Sequence, residues 1–325
     1  MMKTFDEVSA LIKEGRLLHI AGNSNLLRQL PKGDWIGGST EYFMTEDGGI
    51  VSDSLLFVSE FAKEDSFSIC HYGMDNIDRV ASEAYDTGYS ILIIPFGSEV
   101  SMEYARHAPE YEGMYIKNIV GWVSGVNIAV LGQPEHPPIV VNGVTGEIYT
   151  GRAVALHLKV PEYQTVNVNI INIFSPDEKS PAIEFDQEGV TVTTCRVDGK
   201  KVVFADYIKQ NNLDTKLPII ADCFGIGLNV DILSAEDGVV QFGAPVFPSV
   251  KYYRAKNVLD YEAAFNSTLM KLKDVRSVFA CNCLSNFLHG GLEGKKLDAL
   301  FGPVVFGEIA YQMLSQTLVY VTVEG

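Results

Sequence analysis

Basic residues are scarce in this chain and nowhere gather. Lysine and arginine total 25 against 41 aspartates and glutamates, a net charge of −16, and basic residues adjoin only at Lys200-Lys201 and Lys295-Lys296. Binding along a phosphate backbone needs a basic stripe that displaces counterions, so a nucleic-acid partner is not expected. The same deficit argues against adhesion to anionic membrane surfaces. Long hydrophobic runs are also missing: none approaches the roughly 20 residues of a membrane span, and the amphipathic, acid-bearing start of the chain does not read as a signal peptide. Cysteine is sparse, five residues at 70, 195, 223, 281 and 283. An odd, scattered set is no disulfide framework, and a reducing cytoplasm is the expected compartment.

What is present is an ordinary folding composition, 47% hydrophobic and 20% charged over 325 residues, enough for a sizeable core and for two domains. Thr4 and Glu7 form a capping-box signature ahead of apolar residues at helical spacing, Phe5, Val8, Leu11 and Ile12. Short apolar runs closed by Gly, Pro, Asn or Ser follow one another along the chain. Strands are expected at 17–21, 34–36, 54–60, 66–71, 91–94 and 119–122, and helices at 26–30, 77–85 and from Ser98 to 104. A hairpin is expected over 137–160, around Asn142-Gly143. Residues 161–164 are the expected boundary between an N-terminal half, 1–162, and a C-terminal half, 163–325. The second half adds strands around 165–174, 183–185, 190–197, 202–204, 217–221, 239–241, 250–254 and 317–323, with an amphipathic helix at 260–272. Strands outnumber helices, so the class is mixed α and β, α+β with mixed sheets and flanking helices.

Two stretches echo each other. Residues 19–43 read HIAGNSNLLRQLPKGDWIGGSTEYF, and near the other end VFACNCLSNF, from 278, leads on to GPVVFGEIAY, from 302. Each is strand, Asn/Ser-bearing turn, short helix, then a strand ending in glycine with glutamate and an aromatic close behind. An internal duplication, giving two topologically similar halves, accounts for the echo, and so does the commonness of strand–turn–helix–strand units in α/β proteins. Loops at the carboxyl ends of strands are where α/β proteins commonly bind ligands. The candidate ligand-binding set is therefore Asn23, Ser24, Gly38, Ser39, Thr40 and Glu41 from one wall, and Cys281, Asn282, Asn286 and Glu308 from the other, with Ser285 beside them. Turn formation alone would also recruit such residues.

Cys281 and Cys283, two apart on a strand, face one side and are the candidate catalytic residues. A thiolate nucleophile needs a base or another stabilising group, and His289, His19 and His71 are the histidines at hand. Zinc would need about four ligands at recognisable spacing, so no metal is expected, and no cofactor either. Gly225-Ile226-Gly227 lacks the third glycine of a dinucleotide loop and reads as a turn.

These residues together resemble the FIST domain family. Cys281 at a strand end, Gly307-Glu308-Ile309 at a later one and the closing Gln316-Thr317-Leu318 are similar to its C-terminal region. Gly37-Gly38-Ser39-Thr40 and Val140-Val141-Asn142-Gly143 are similar to its N-terminal elements. The resemblance implies a sensory or signal-transduction module that binds a small ligand, an amino acid or other metabolite, with a separate signalling protein as its output. The basic residue that the family places soon after its cysteine is replaced here by Asn282 and Asn286. Two other functions compete: a cysteine-dependent hydrolase or transferase using Cys281 or Cys283, and a protein-interaction scaffold.

Overall fold

The computed structural model describes residues 1–62, 66–223, 226–272 and 276–325. Its short apolar runs pair into three six-stranded sheets built to one plan. In the first, the order is Met2–Lys3, Leu56–Phe61, Leu17–Gly22, Trp35–Ser39, Val140–Asn142, Glu147–Tyr149. In the second it is Phe67–Tyr72, Ala153–Lys159, Gly88–Pro95, Asn118–Ser124, Glu308–Ala310, Gln312–Leu314. In the third it is Thr165–Ile171, Leu318–Glu324, Ser277–Cys283, Gly302–Val305, Tyr42–Thr45, Gly48–Val51. The two middle strands of each sheet are parallel. The other neighbours in each are antiparallel.

The mixed α and β class read from the sequence is therefore the observed one, and the repeat is threefold. Each unit supplies an outer strand, two parallel strands joined through a short helix or helical turns, a hairpin and a returning strand. The units run over 2–61, 67–159 and 165–324. None keeps its hairpin. The hairpin at 42–51 pairs with Gly302–Val305 of the third sheet, the one at 140–149 with Trp35–Ser39 of the first, and the one at 308–314 with Asn118–Ser124 of the second. The exchange closes in a ring. Residues 161–164 link Ala153–Lys159 of the second sheet to Thr165–Ile171 of the third, and strands are traded across them.

Alternation along the strands turns one face of every sheet to a shared centre. Ala21, Ile36 and Val140 from the first sheet, Ile93 and Trp122 from the second, and Phe279, Val305 and Val319 from the third join one cluster of buried apolar side chains. The outer faces are covered separately. Val8 and Ile12 of the helix Phe5–Lys13 cover the first, Val100 and Tyr104 of Glu99–His107 the second, and Phe265, Leu269 and Phe287 of Tyr261–Leu269 and Leu284–His289 the third. The capping box is formed: Thr4 Oγ1 accepts from Glu7 N, and the Glu7 carboxylate accepts from Thr4 N at 2.7 Å. Ser98 likewise caps its helix at Ser101 N.

An insertion after Ile171 carries a further antiparallel six-stranded sheet and a three-stranded one, around the helix Phe204–Gln210. That helix has no side-chain cap, and its first residue, Phe204, falls where the apolar run 202–204 predicts a strand. The helix expected over 77–85 reduces to one 3-10 turn, Ile77–Arg79. The long expected hairpin over 137–160 divides: Val140–Asn142 pairs with Glu147–Tyr149, while Ala153–Lys159 belongs to the second sheet. Gly225 and the Cys223 side chain lie outside the described residues, and Ile226–Val230 is a strand.

Candidate functional site

The three crossovers that deliver the hairpins all leave the carboxyl ends of parallel strands, and there they knit together. Gly125 N donates to Ser39 O at 2.8 Å, Val123 N to Gly307 O at 2.8 Å, and Thr40 Oγ1 to Val304 O at 2.7 Å. A cleft of about 240 Å³ opens beside this junction at the end of the first sheet. It is lined in part by Asn23, Ser24, Ser39, Thr40, Glu41 and Asn127, and also by Asp53 and His136.

Glu41 is its organising group. The carboxylate is half-buried, with Asn23 Nδ2 donating to Oε1 at 2.6 Å and Asn127 Nδ2 to Oε2 at 2.9 Å. Both asparagines are themselves pinned. Asn23 caps the short helix Ser24–Leu27, its Oδ1 accepting from Asn25 N at 2.8 Å, and Asn127 Oδ1 accepts from Ala129 N at 3.1 Å. Each amide thus spends its oxygen on a local turn and aims its nitrogen at one carboxylate. Ser39 and Thr40 are buried and act as backbone pins: Ile139 N donates to Ser39 Oγ at 2.9 Å, and Tyr42 N to Thr40 Oγ1 at 3.3 Å. Gly38 does not line the cleft. A side chain there would meet Ile93 and Trp122 at 2.7 Å, so the glycine makes room for packing across the centre. Asp53, Asn127 and His136 escaped the sequence reading. The latter two come from the loop 125–139 of another unit, and nothing local in the sequence ties that loop to residue 41.

The second expected wall does not reach this cleft. Continuing the Val304–Tyr42 register by one residue sets Glu41 opposite Val305, and Glu308 stands opposite Trp122 in the same way. The two glutamates are repeat counterparts, as the echo in the sequence indicates. Glu308, however, is wholly buried. Its Oε2 accepts from Thr317 Oγ1 at 2.6 Å and Thr317 N at 3.0 Å, and its Oε1 has no partner among the described residues. Burial raises its pKa to about 8, against the lowering effect of the Thr317 bonds and the nearby Cys283 thiol. Asn282 and Asn286 are buried beside it, Asn286 Nδ2 donating to Asn282 Oδ1 and to Thr317 O, each at 3.2 Å.

Cys281 and Cys283 do share one face, but it is the packed interior. Burial first, and then the Glu308 carboxylate, pushes both thiols well above their usual range. Cys281 Sγ donates to Gly121 O at 3.5 Å. No hydrogen bond among the described residues joins either thiol to a histidine. His19 is spent on Trp122, whose Nε1 donates to His19 Nε2 at 2.8 Å, and burial lowers its pKa to about 3. A nucleophilic cysteine needs access and thiolate stabilisation, and these two have neither. No group of three or more His, Cys, Asp or Glu placed to hold a metal occurs among the described residues.

Residues 3–324 match the model of a family described as a family of unknown function, DUF6976, and the chain belongs to that family. No curated protein matches it.

Proposed function

For this member of a family of unknown function, we propose non-covalent binding of a small polar metabolite bearing an amine or several hydroxyls, in the cleft around Glu41. One observation carries the reading: a half-buried carboxylate, clamped by two asparagine amides that are fixed by their own turns, faces an open cleft. The clamp pre-positions an acceptor, which lowers the ordering cost of binding. Asp53 adds a second carboxylate, and no lysine or arginine among the described residues lines the cleft, so cationic or neutral ligands are favoured over anions. The resemblance to FIST domains supports the same reading, since the Gly-Ser/Thr element at 37–40 runs into this cleft. A sensing role would then need a separate signalling protein as output. Unpaired thiols at Cys70, Cys195, Cys281 and Cys283 suit a reducing, cytoplasmic setting, and no helix among the described residues is long and apolar enough to cross a membrane.

A thermal-shift screen of amines, amino acids and polyols tests the proposal. At least one compound should raise Tm in a saturable way, and Glu41→Gln should abolish the shift while the variant stays folded. A panel with no saturable stabiliser, or a shift that survives Glu41→Gln, refutes it.

A further inference from the structure

Around Glu308 the sheet ends are roofed by the insertion, and the roof is polar. Asp231, between the strands Ile226–Val230 and Ile232–Glu236, accepts from Ser285 Oγ at its Oδ2, 2.8 Å away. Asn229 Nδ2 donates to Ser315 O at 3.2 Å and Gln316 O at 3.3 Å, and Gln316 Nε2 donates to Lys216 O at 2.9 Å. Asp231 is buried, with 6% of its surface exposed, and Gly243 leaves room for it: a Cβ there would meet Asp231 Oδ1 at 2.1 Å.

Five buried polar atoms of this seam have no hydrogen-bond partner among the described residues: Asp231 Oδ1, Glu308 Oε1, Asn286 Oδ1, Gln316 Oε1 and Asn282 Nδ2. They belong to one connected set. Ser285, which bonds Asp231, precedes Asn286; Asn286 and Glu308 share Thr317; and Thr317 follows Gln316. The amide orientations are pinned rather than arbitrary. Asn286 must turn its nitrogen to the Thr317 carbonyl and Gln316 its nitrogen to the Lys216 carbonyl, which leaves both side-chain oxygens as acceptors. Asn282 Oδ1 accepts from Asn286, leaving its nitrogen as the sole free donor. With both carboxyl groups ionised, four acceptors, two of them carboxylate oxygens, stand against one donor. Buried acceptors without partners cost free energy, and a species that only donates or coordinates relieves that cost.

We propose that this roofed seam binds one small monovalent cation, ammonium or an alkali-metal ion, with Asp231 Oδ1, Glu308 Oε1, Asn286 Oδ1 and Gln316 Oε1 as its oxygen ligands. Hard cations take carboxylate and carbonyl oxygen. Each carboxylate offers one oxygen here, because Ser285 and Thr317 occupy the other, and the two remaining ligands are neutral amides; four single oxygens fall short of the roughly six to eight that calcium takes, which suits a monovalent ion. The seam joins the insertion to the third unit, so the ion would fasten one to the other. This site is separate from the Glu41 cleft, and each stands or falls without the other.

The full chain is unfolded thermally at pH 8.5 in choline chloride, and again with choline replaced at constant ionic strength by sodium, potassium or ammonium. Tm should rise by several degrees in at least one small cation, saturably, and the rise should disappear in Glu308→Gln and in Asp231→Asn. Equal Tm in all four salts, a rise that survives both substitutions, or a larger effect of calcium or magnesium overturns the proposal. Should both variants fail to fold, crystals of the unaltered protein soaked in rubidium decide it. An anomalous peak within coordination distance of Asp231 and Glu308 supports the site, and no peak there refutes it.

Discussion

Glu41 and Glu308 occupy the same place in two repeats and live in opposite surroundings. Each follows a parallel strand and leads into an exchanged hairpin. Glu41 is held by asparagine amides at the rim of a cleft, and Glu308 by a threonine under a roof of inserted chain. In the middle unit the corresponding residue is Val140, reached only after the loop 125–139, and that loop supplies Asn127 to the first site. One backbone plan thus yields an open polar site, a closed one and an apolar plug. The covering segments, more than the strand ends, set the character of each.

The largest way to disturb both sites at once is Trp122→Ala. The indole is buried, fills the space left by Gly38, stands opposite Glu308 and donates to His19. A loss of about 3–5 kcal/mol is expected, read as a lower midpoint in urea unfolding.

The closed site should show in the pH dependence of stability. Glu308 in the folded chain keeps a proton to about pH 8 that the unfolded chain releases near the ordinary carboxyl value of 4.5. Its contribution is therefore full below about pH 4.5 and is lost as pH rises through 8. In choline chloride, wild type should lose on the order of a few kcal/mol relative to Glu308→Gln across that window. Parallel curves for the two proteins between pH 5 and 9 would show that Glu308 is not protonated in the fold.

Matched threonine substitutions measure the contrast more finely. Thr317→Val removes the hydroxyl donor from Glu308 and should cost about 1 kcal/mol below pH 8, where the carboxyl is protonated, growing to roughly 1.5–3 kcal/mol above it, as for a hydrogen bond to a charged group. Thr40→Val removes a neutral bond to Val304 O and should cost only about 1 kcal/mol, with no such pH dependence. Equal costs with equal pH profiles would remove the distinction between the sites. Smallest in stability is Glu41→Gln, expected within about 0.5 kcal/mol of wild type, because an amide oxygen and a half-exposed position still satisfy much of the clamp. Its effect belongs in ligand affinity.

Much of the local structure was legible in the sequence, because its causes are local. The Thr4–Glu7 box and the Ser98 cap, the strand runs and the Asn142 turn each follow from neighbouring residues. So did the likeness of residues 19–43 to those from 278 onward, and with it the pairing of Glu41 and Glu308. The third repeat was hidden, because the loop 125–139 stretches its spacing and Val140 replaces the glutamate. Phe204–Gln210 was hidden because it lacks a capping side chain. Only the tertiary structure decided which sheet each hairpin joins, because backbone hydrogen bonding carries no address and the pairing is settled by packing among distant segments. It alone brought Asn127 and His136 to Glu41, and it alone buried Glu308, Cys281 and Cys283. Side chains alike in sequence became a cleft wall in one unit and an enclosed polar seam in another, since burial depends on what else the chain lays over them.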